Sequence, residues 1–459
     1  MKRSLASLAL LASLVLLAAS APLLCGLAQP PAAAAVSFAA KADFGVGHGP
    51  RSIAVADLNR DGAKDLATAD CFADTVSVLP GDSSGRFDLR STFATGDYPV
   101  AVAVGDFLED RWRDLVTADV NSDAAALLFG SGFGFHPFAE TGVGDAPLAV
   151  VAVDVDRDGN TDLLTANYFV DTVSVLLGTG AGGFSVRTDF AVDDGPMSIA
   201  VADFDRDGAR DLVTANYGDD TVTLRFGDGR GGFPLTMYRI VGDGPRSIAV
   251  ADFNGDGAMD YATANELANS VTVRLGDGSG GFSPRTDVPT GQGPYGIAVS
   301  DFNGDRAKDL ATANLDVDTV SVLMGDGRGG FGAANAFGVG DGPWAVAAAD
   351  VDGDGKPDLV TANHYADTVS LLLNTCRPRI VSLSPTASWA GATVTIKGWG
   401  FGAKRGTSKV TFGHKAVTKY VSWSKARIKV KVPAMSVGRK AVRVRTEDGR
   451  SNARYFSVR

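Results

Sequence analysis

A chain of 459 residues with 45% apolar side chains and 56 glycines is too apolar to be a disordered polymer, and its glycine content favours turn-rich β structure in two or three domains. The net charge of −10 hides a split: residues 379–459 carry 18 Lys and Arg against only Glu447 and Asp448, about +16, whereas the rest carries 25 basic and 51 acidic residues, about −26. A uniform surface is thereby excluded, and two domains with different electrostatic tasks are expected.

The chain opens with Lys2 and Arg3, a Leu/Ala-rich run from Leu5 to Leu17, and the small residues Ala18-Ala19-Ser20-Ala21. This is the layout of an export signal, assigned to residues 1–28 with the cut anywhere from 21 to 35. The apolar run is too short to anchor the mature chain. Leu24 stands where a lipoprotein signal wants a small residue, which argues against a lipid on Cys25. The mature protein is expected outside the cell or on its surface, with no transmembrane segment.

From residue 36 a pattern recurs: Gly-Pro, then Ile-Ala-Val-Ala-Asp-Phe, an acidic loop, and Asp-Leu-x-Thr-Ala-Asn. Its first aspartates are Asp57, Asp106, Asp154, Asp203, Asp252, Asp301 and Asp350, spaced by 49 residues with a single 48. Such a period belongs to a propeller blade. In the fifth unit, Ser247–Phe253, Tyr261–Asn265, Ser270–Leu275 and Phe282–Val288 read as four short strands, and Gly291-Gln292-Gly293-Pro294 turns into the next unit. The last unit stops after its third strand at Leu371-Leu372-Leu373. Residues Ser37-Phe38 to Phe44 read like the fourth strand seen at Gly183-Phe184 to Phe190. The N-terminal strand therefore completes the last blade, leaving no open sheet edge. The expected fold is all-β: a seven-bladed β-propeller over residues 36–376.

Five loops carry oxygen side chains at positions 1, 3, 5 and 9 with glycine at 6: Asp57, Asn59, Asp61, Asp65; Asp154, Asp156, Asp158, Asp162; Asp203, Asp205, Asp207, Asp211; Asp252, Asn254, Asp256, Asp260; and Asp350, Asp352, Asp354, Asp358. Alternating carboxylates in a tight turn converge on one centre, glycine permits the bend, and position 7 can add its carbonyl. Irregular hard-oxygen coordination of this kind suits Ca2+. A simple Asx-turn reading of the same residues competes with it. In the sixth loop Asp301, Asn303, Asp305 and Asp309 remain but Arg306 replaces glycine, so a weaker site is expected. In the second, Leu108 and Arg111 remove a ligand and the glycine, so none is expected, with Arg111 or Arg113 neutralising the carboxylates.

The loop, together with the flanking Gly-Gly-Phe and Gly-Asp-Gly-Pro, resembles the FG-GAP/VCBS repeats, whose calcium-loaded blades also build the propeller of integrin α subunits. That resemblance implies the fold and the metal, and leaves the function open. Residues 378–459 are similar to an IPT/TIG immunoglobulin-like β-sandwich: Ile380-Val381-Ser382-Leu383-Ser384-Pro385, Gly398-Trp399-Gly400-Phe401-Gly402 and Ser451-Asn452-Ala453 carry the likeness. Its strands alternate, as in Arg427-Ile428-Lys429-Val430-Lys431-Val432 and Lys440-Ala441-Val442-Arg443-Val444-Arg445, lining a sheet face with cations.

The metal loops are expected on one face of the ring, and the Gly-Pro turns and strand-two ends on the other. Cys71 and Cys376 then fall on opposite faces, so no disulfide is expected between them. At the metal-free mouth the residue after Gly-Pro varies, and Arg51, Arg246, Tyr295, Trp344, His364 and Tyr365 form a candidate ligand site; aromatic packing between blades is the competing reading. With four histidines, none clustered, the sequence favours a non-enzymatic binding or adhesion protein for a glycan or cell-surface ligand. The alternatives are a polysaccharide lyase at the mouth and a structural surface-assembly component. The basic tail suits an anionic polymer; nucleic acid is not an expected partner of an exported chain.

Overall fold

A computed structural model describes residues 36–459 except 132–133, 137–138, 376–377, 402–403, 425, 447–448 and 452. The expected export signal, Cys25 and Cys376 lie outside the described residues, so neither the lipid nor the disulfide question is addressed by it. Cys71 is buried and free.

Seven four-stranded antiparallel sheets follow one another along the chain. In each, the second strand is buried at every position, as in Asp65–Asp70, Asp162–Asn167 and Asp260–Asn265. The fourth is mostly exposed, as in Ser91–Ala94 and Thr286–Pro289. This gradient explains the composition: the Asp-Leu-x-Thr-Ala-Asn strand is sandwiched between neighbouring blades, so its polar side chains must be satisfied internally. Thr263 Oγ1 donates to Asn265 Oδ1 at 2.8 Å, and Asn265 Nδ2 donates to Thr272 Oγ1 at 2.9 Å. The fourth strand of the fifth unit begins at Thr286, later than Phe282. Phe282 instead makes an isolated bridge with Gly276 and packs edge-on against Phe204 of the preceding blade, 5.8 Å between ring centres. Phe107–Phe184 and Phe253–Phe331 repeat that contact, each adding about 0.5–1.5 kcal/mol beyond area burial.

Ala42–Gly45 pairs antiparallel with Thr368–Leu371, so the N-terminal strand does close the seventh blade. A second fastening runs round the whole ring. The turn after each second strand places an aspartate or asparagine in the left-handed region, and its side chain accepts a backbone N–H from the next blade. Asp74 takes Tyr98, Asp123 takes Ala146, Asp171 takes Gly195, Asp220 takes Gly244, Asn269 takes Gly293 and Asp318 takes Gly342, at 2.7–3.0 Å. Asp367 completes the circle by taking Gly49 of the first blade at 2.9 Å.

The C-terminal residues form a β-sandwich. One sheet orders Arg379–Ser384, Thr393–Trp399, Arg427–Lys431 and Tyr420–Ser424; the other contains Arg454–Val458, Gly438–Thr446 and Lys409–Phe412. Ile396, Val410, Phe412, Ile428, Val444 and Phe456 belong to the single core between them. The two cation-bearing strands lie in different sheets, so cations flank both outer faces of the sandwich rather than a single face. Arg379 reaches the sixth loop of the propeller, its guanidinium 3.9 Å from Asp305.

Candidate functional site

The acidic loops are assembled by their own backbone. In every loop, including the second, the position-9 aspartate is buried and both of its oxygens accept backbone N–H groups. One comes from position 2 and the other from a residue one or two places past the third strand. In the second loop these are Phe107 at 2.7 Å and Gly130 at 2.8 Å on Asp114; in the fifth they are Phe253 at 2.7 Å and Gly276 at 2.8 Å on Asp260. The seventh substitutes Asn374 for glycine, on Asp358 at 2.8 Å. Glycine is used elsewhere because a Cβ at Gly276 would come 2.3 Å from the carbonyl oxygen of Met259.

Position 1 accepts the N–H of position 6, as Asp57 does from Gly62 at 3.0 Å and Asp301 from Arg306 at 2.8 Å. Position 5 accepts that of position 7, as Asp207 does from Ala209 at 2.6 Å. These Asx-turn bonds occupy one carboxylate oxygen at Asp57 and Asp203 and both at Asp154, Asp252 and Asp301. The Oδ1 atoms of Asp57 and Asp203 are buried without a hydrogen-bond partner, which leaves each with acceptor capacity that a cation could use. Carboxylate oxygens of Asp154, Asp156 and Asp162, of Asp203, Asp205 and Asp211, and of Asp350, Asp352 and Asp358 lie within 4.8 Å of one another. These three clusters can hold a metal ion. Burial pushes Asp162 and Asp211 up to about 6 and Asp358 to about 7, so the clusters resist carrying their charge alone.

The remaining loops differ in ways the sequence only partly announced. In the first and fifth, the position-3 amides of Asn59 and Asn254 donate to Asp61 and Asp256 at 3.0 and 2.9 Å. In the sixth, Asn303 is buried, its Oδ1 accepts the Asp305 N–H at 2.8 Å and its amide faces the Met324 sulfur at 3.3 Å; Arg306 sits at φ 78°, strained for a non-glycine residue. In the seventh, the buried Lys356 ammonium lies 2.5 Å from Asp354 and donates to the Asn374 carbonyl at 2.8 Å. In the second, Asp106 Oδ1 is likewise buried and unpartnered, and among the described residues no ion pair joins Arg111 or Arg113 to its carboxylates. The expected neutralisation there is not seen.

Sequence reading missed position 4. It too is left-handed, with Arg60, Arg157 and Arg206 at φ 64°, 68° and 61°. These arginines lean toward the following blade: Arg206 donates to the Asp256 carbonyl at 3.1 Å, and Arg60 lies over the Trp112 ring at 5.1 Å.

On the opposite face the residue after each turn proline is a β-bulge: pairing of the first strand slips between Pro50 and Ser52, and between Pro245 and Ser247, and likewise in the other blades. A bulge re-aims the extra side chain. Arg51, Val100, Leu148, Met197, Arg246, Tyr295 and Trp344 thereby converge on one cavity of about 540 Å3 at the ring's mouth. Half of it is an arc of alternating cations and rings. Arg246 lies 4.5 Å from the centre of Tyr217 and 4.4 Å from that of Tyr295, Tyr295 meets Trp344 at 4.7 Å, and Arg51 lies 4.4 Å from Trp344 and 4.9 Å from Tyr98. His364 packs between Trp344 at 4.8 Å and Phe72 at 5.4 Å, with Tyr365 at 5.0 Å. These contacts link all six residues singled out in the sequence, of which Arg51, Arg246, Tyr295 and Trp344 line the cavity itself; Phe72, Tyr98 and Glu266, which pairs with Arg246 at 2.5 Å, join the same cluster.

This architecture defines a class, the seven-bladed propeller joined to an immunoglobulin-like sandwich, and the comparisons agree. Residues 154–214, 203–263, 252–312 and 301–361 match the FG-GAP-like repeat, and residues 378–458 match the IPT/TIG domain; the chain carries both. Among solved structures it is similar to BBS1N in complex with ARL6DN, at 13% identity and TM-score 0.54 over 73% of this chain and 96% of that one. It is also similar to virginiamycin B lyase from Staphylococcus aureus, at 11% identity and TM-score 0.52 over 73% and 99%. Both likenesses concern the fold. Over the immunoglobulin-like domain the chain is 44% identical, across 80 residues, to a cyclomaltodextrin glucanotransferase of Paenibacillus macerans and 38% identical, across 81, to that of Thermoanaerobacterium thermosulfurigenes. The match covers 17–18% of this chain and 11% of those enzymes, so it spans about a tenth of their length. Among the described residues no helix is long and apolar enough to cross a membrane.

Proposed function

We propose that this chain is an exported, calcium-loaded, non-enzymatic binding protein that presents the propeller mouth to a glycan or cell-surface ligand. Residues 1–28 act as the export signal, 36–376 as the propeller and 378–459 as an accessory sandwich. The observation that carries the reading is the convergence of three aspartates in each of the third, fourth and seventh loops. Hard oxygen donors of mixed geometry select calcium over softer-ligand metals. The first and fifth loops supply the same positions with one asparagine, and the sixth a weaker version. Calcium there neutralises converging carboxylates and stiffens one face of the ring. The mouth on the other face offers rings and cations suited to holding a ligand. A sandwich resembling part of a cyclomaltodextrin glucanotransferase fits a carbohydrate setting, and its cations suit an anionic polymer.

Chelation tests this. Excess EDTA lowers the melting temperature of the mature protein by about 10 °C or more, and calcium restores it, because the folded state alone binds the ion. A melting curve indifferent to both additions rules the metal out.

A further inference from the structure

The mouth holds two arginines in equivalent places whose charges are handled differently. Arg246 and Arg51 are bulge residues of the fifth and first blades, each held between two rings. In the fifth blade the strand facing the bulge ends in Asn265 followed by Glu266, which neutralises Arg246 at 2.5 Å. The same register in the first blade ends in Asp70 followed by Cys71, a buried thiol. No ion pair to Arg51 exists among the described residues, and its Nε is buried without an acceptor. The nearby carboxylates are occupied: Asp70 accepts the Thr68 and Ser77 hydroxyls at 2.7 and 2.5 Å, and Asp367 accepts the Gly49 N–H and pairs with His48. A second unanswered group sits in the same wall, since His364 is 5% exposed and its Nδ1 has no partner. Beside them Phe72 and Tyr365 are 51% and 62% exposed, rings free to lie against a sugar face.

We propose that the mouth selects an acidic sugar, a uronic acid residue of a polysaccharide, whose carboxylate takes at Arg51 the place that Glu266 takes at Arg246. The inference rests on the glycan reading above and narrows it. A guanidinium with no carboxylate partner in the fold gains a charge-assisted hydrogen bond when a ligand carboxylate arrives, whereas a neutral sugar brings it no counter-charge. The propeller's overall negative charge repels polyanions at distance, so recognition falls to this one cation and its flanking rings.

The test is calorimetry on the full mature chain with calcium at 150 mM salt, using trigalacturonate and maltotriose as probes. Trigalacturonate binds in preference to maltotriose, and Arg51→Gln weakens it by about ten- to a hundredfold, the range of one hydrogen bond to a charged group. Cys71→Glu, which gives Arg51 the internal partner that Arg246 already has, produces the same loss by a different route and guards against a folding defect in the first variant. If both variants fold and bind trigalacturonate like the parent, the acid is held elsewhere, as on the basic sandwich, and the proposal is overturned while the glycan reading stands. If maltotriose binds as well as trigalacturonate, the acidic preference alone fails. If neither sugar binds the parent chain, the glycan reading itself fails.

Discussion

The second and fifth blades share one backbone and the aspartates of loop positions 1, 5 and 9, and differ at positions 3 and 6 and at the end of the second strand. The fifth has Asn254, Gly257 and Asn265; the second has Leu108, Arg111 and Asp119. Yet Asp114 and Asp260 clasp the same two backbone N–H groups at distances of 2.7 and 2.8 Å in both, and position 6 donates to position 1 in both, at 3.0 Å from Arg111 and 2.9 Å from Gly257. The loop shape is therefore a property of the chain, held by buried carboxylate–amide bonds, and the capacity to hold a metal ion is added to it. The last aspartate of the motif, a candidate ligand in sequence, is also the keystone of the loop.

The largest effect should come from removing that keystone. Asp114→Ala and Asp260→Ala each forfeit two hydrogen bonds to a buried charged group, roughly 3–6 kcal/mol together. Urea denaturation with and without calcium checks the distinction between the blades. The loss from Asp114→Ala is the same in both conditions, whereas that from Asp260→Ala is larger with calcium. A stable Asp114→Ala protein would break the comparison.

The next effect tests what the second blade lacks. Five blades end their second strand in Asn, answered by a Ser or Thr hydroxyl such as Ser174 or Thr272. The second ends in Asp119 and offers Ala126 at that place, so Thr117 and the Gly96 amide face the carboxylate without a well-formed hydrogen bond. Burial, with Glu140 nearby, pushes Asp119 up to about 7. A folded value above the unfolded one near 3.8 means that this group stabilises the fold at low pH. That contribution is lost as pH rises through about 7, and amounts to something on the order of 4 kcal/mol. Asp119→Asn, which places there the residue of five other blades, should flatten the pH dependence of stability between 4 and 8 and stabilise the protein at pH 8. An unchanged slope would place the titrating group elsewhere, with Asp70, pushed up to about 6 by burial, as the next to replace.

The fold was legible because its signals are periodic: seven evenly spaced aspartates, and a strand four that appears at the wrong end of the chain. The candidate metal loops were legible because carboxylates at alternate places are chemically conspicuous, and in three of them the aspartates do converge. The left-handed position 4 was not, because Arg60, Arg157 and Arg206 carry no glycine-like mark. The Asp74-type turn residues were not, because aspartate before threonine is an ordinary turn sequence, and only the ring shows that it ties one blade to the next. The contrast between Arg51 and Arg246 needed strand register, which brings Cys71 and Glu266 to equivalent places twenty residues further along each blade.

The smallest effect separates strain from ligand loss. Arg306 is a non-glycine residue at φ 78°, where a left-handed conformation costs about 1–2 kcal/mol, offset partly by the extra freedom glycine has when unfolded. Arg306→Gly should therefore gain about 0.5–1 kcal/mol without calcium, by urea denaturation in EDTA, and raise the calcium-dependent increment as the sixth loop approaches the pattern of the fifth. A gain in EDTA with no added calcium response would show that Asn303, turned toward Met324 and buried, is what keeps that loop apart. Asn303→Asp would then be the change that brings it into line, since a carboxylate there avoids the sulfur contact and faces Asp301 and Asp305 across the turn.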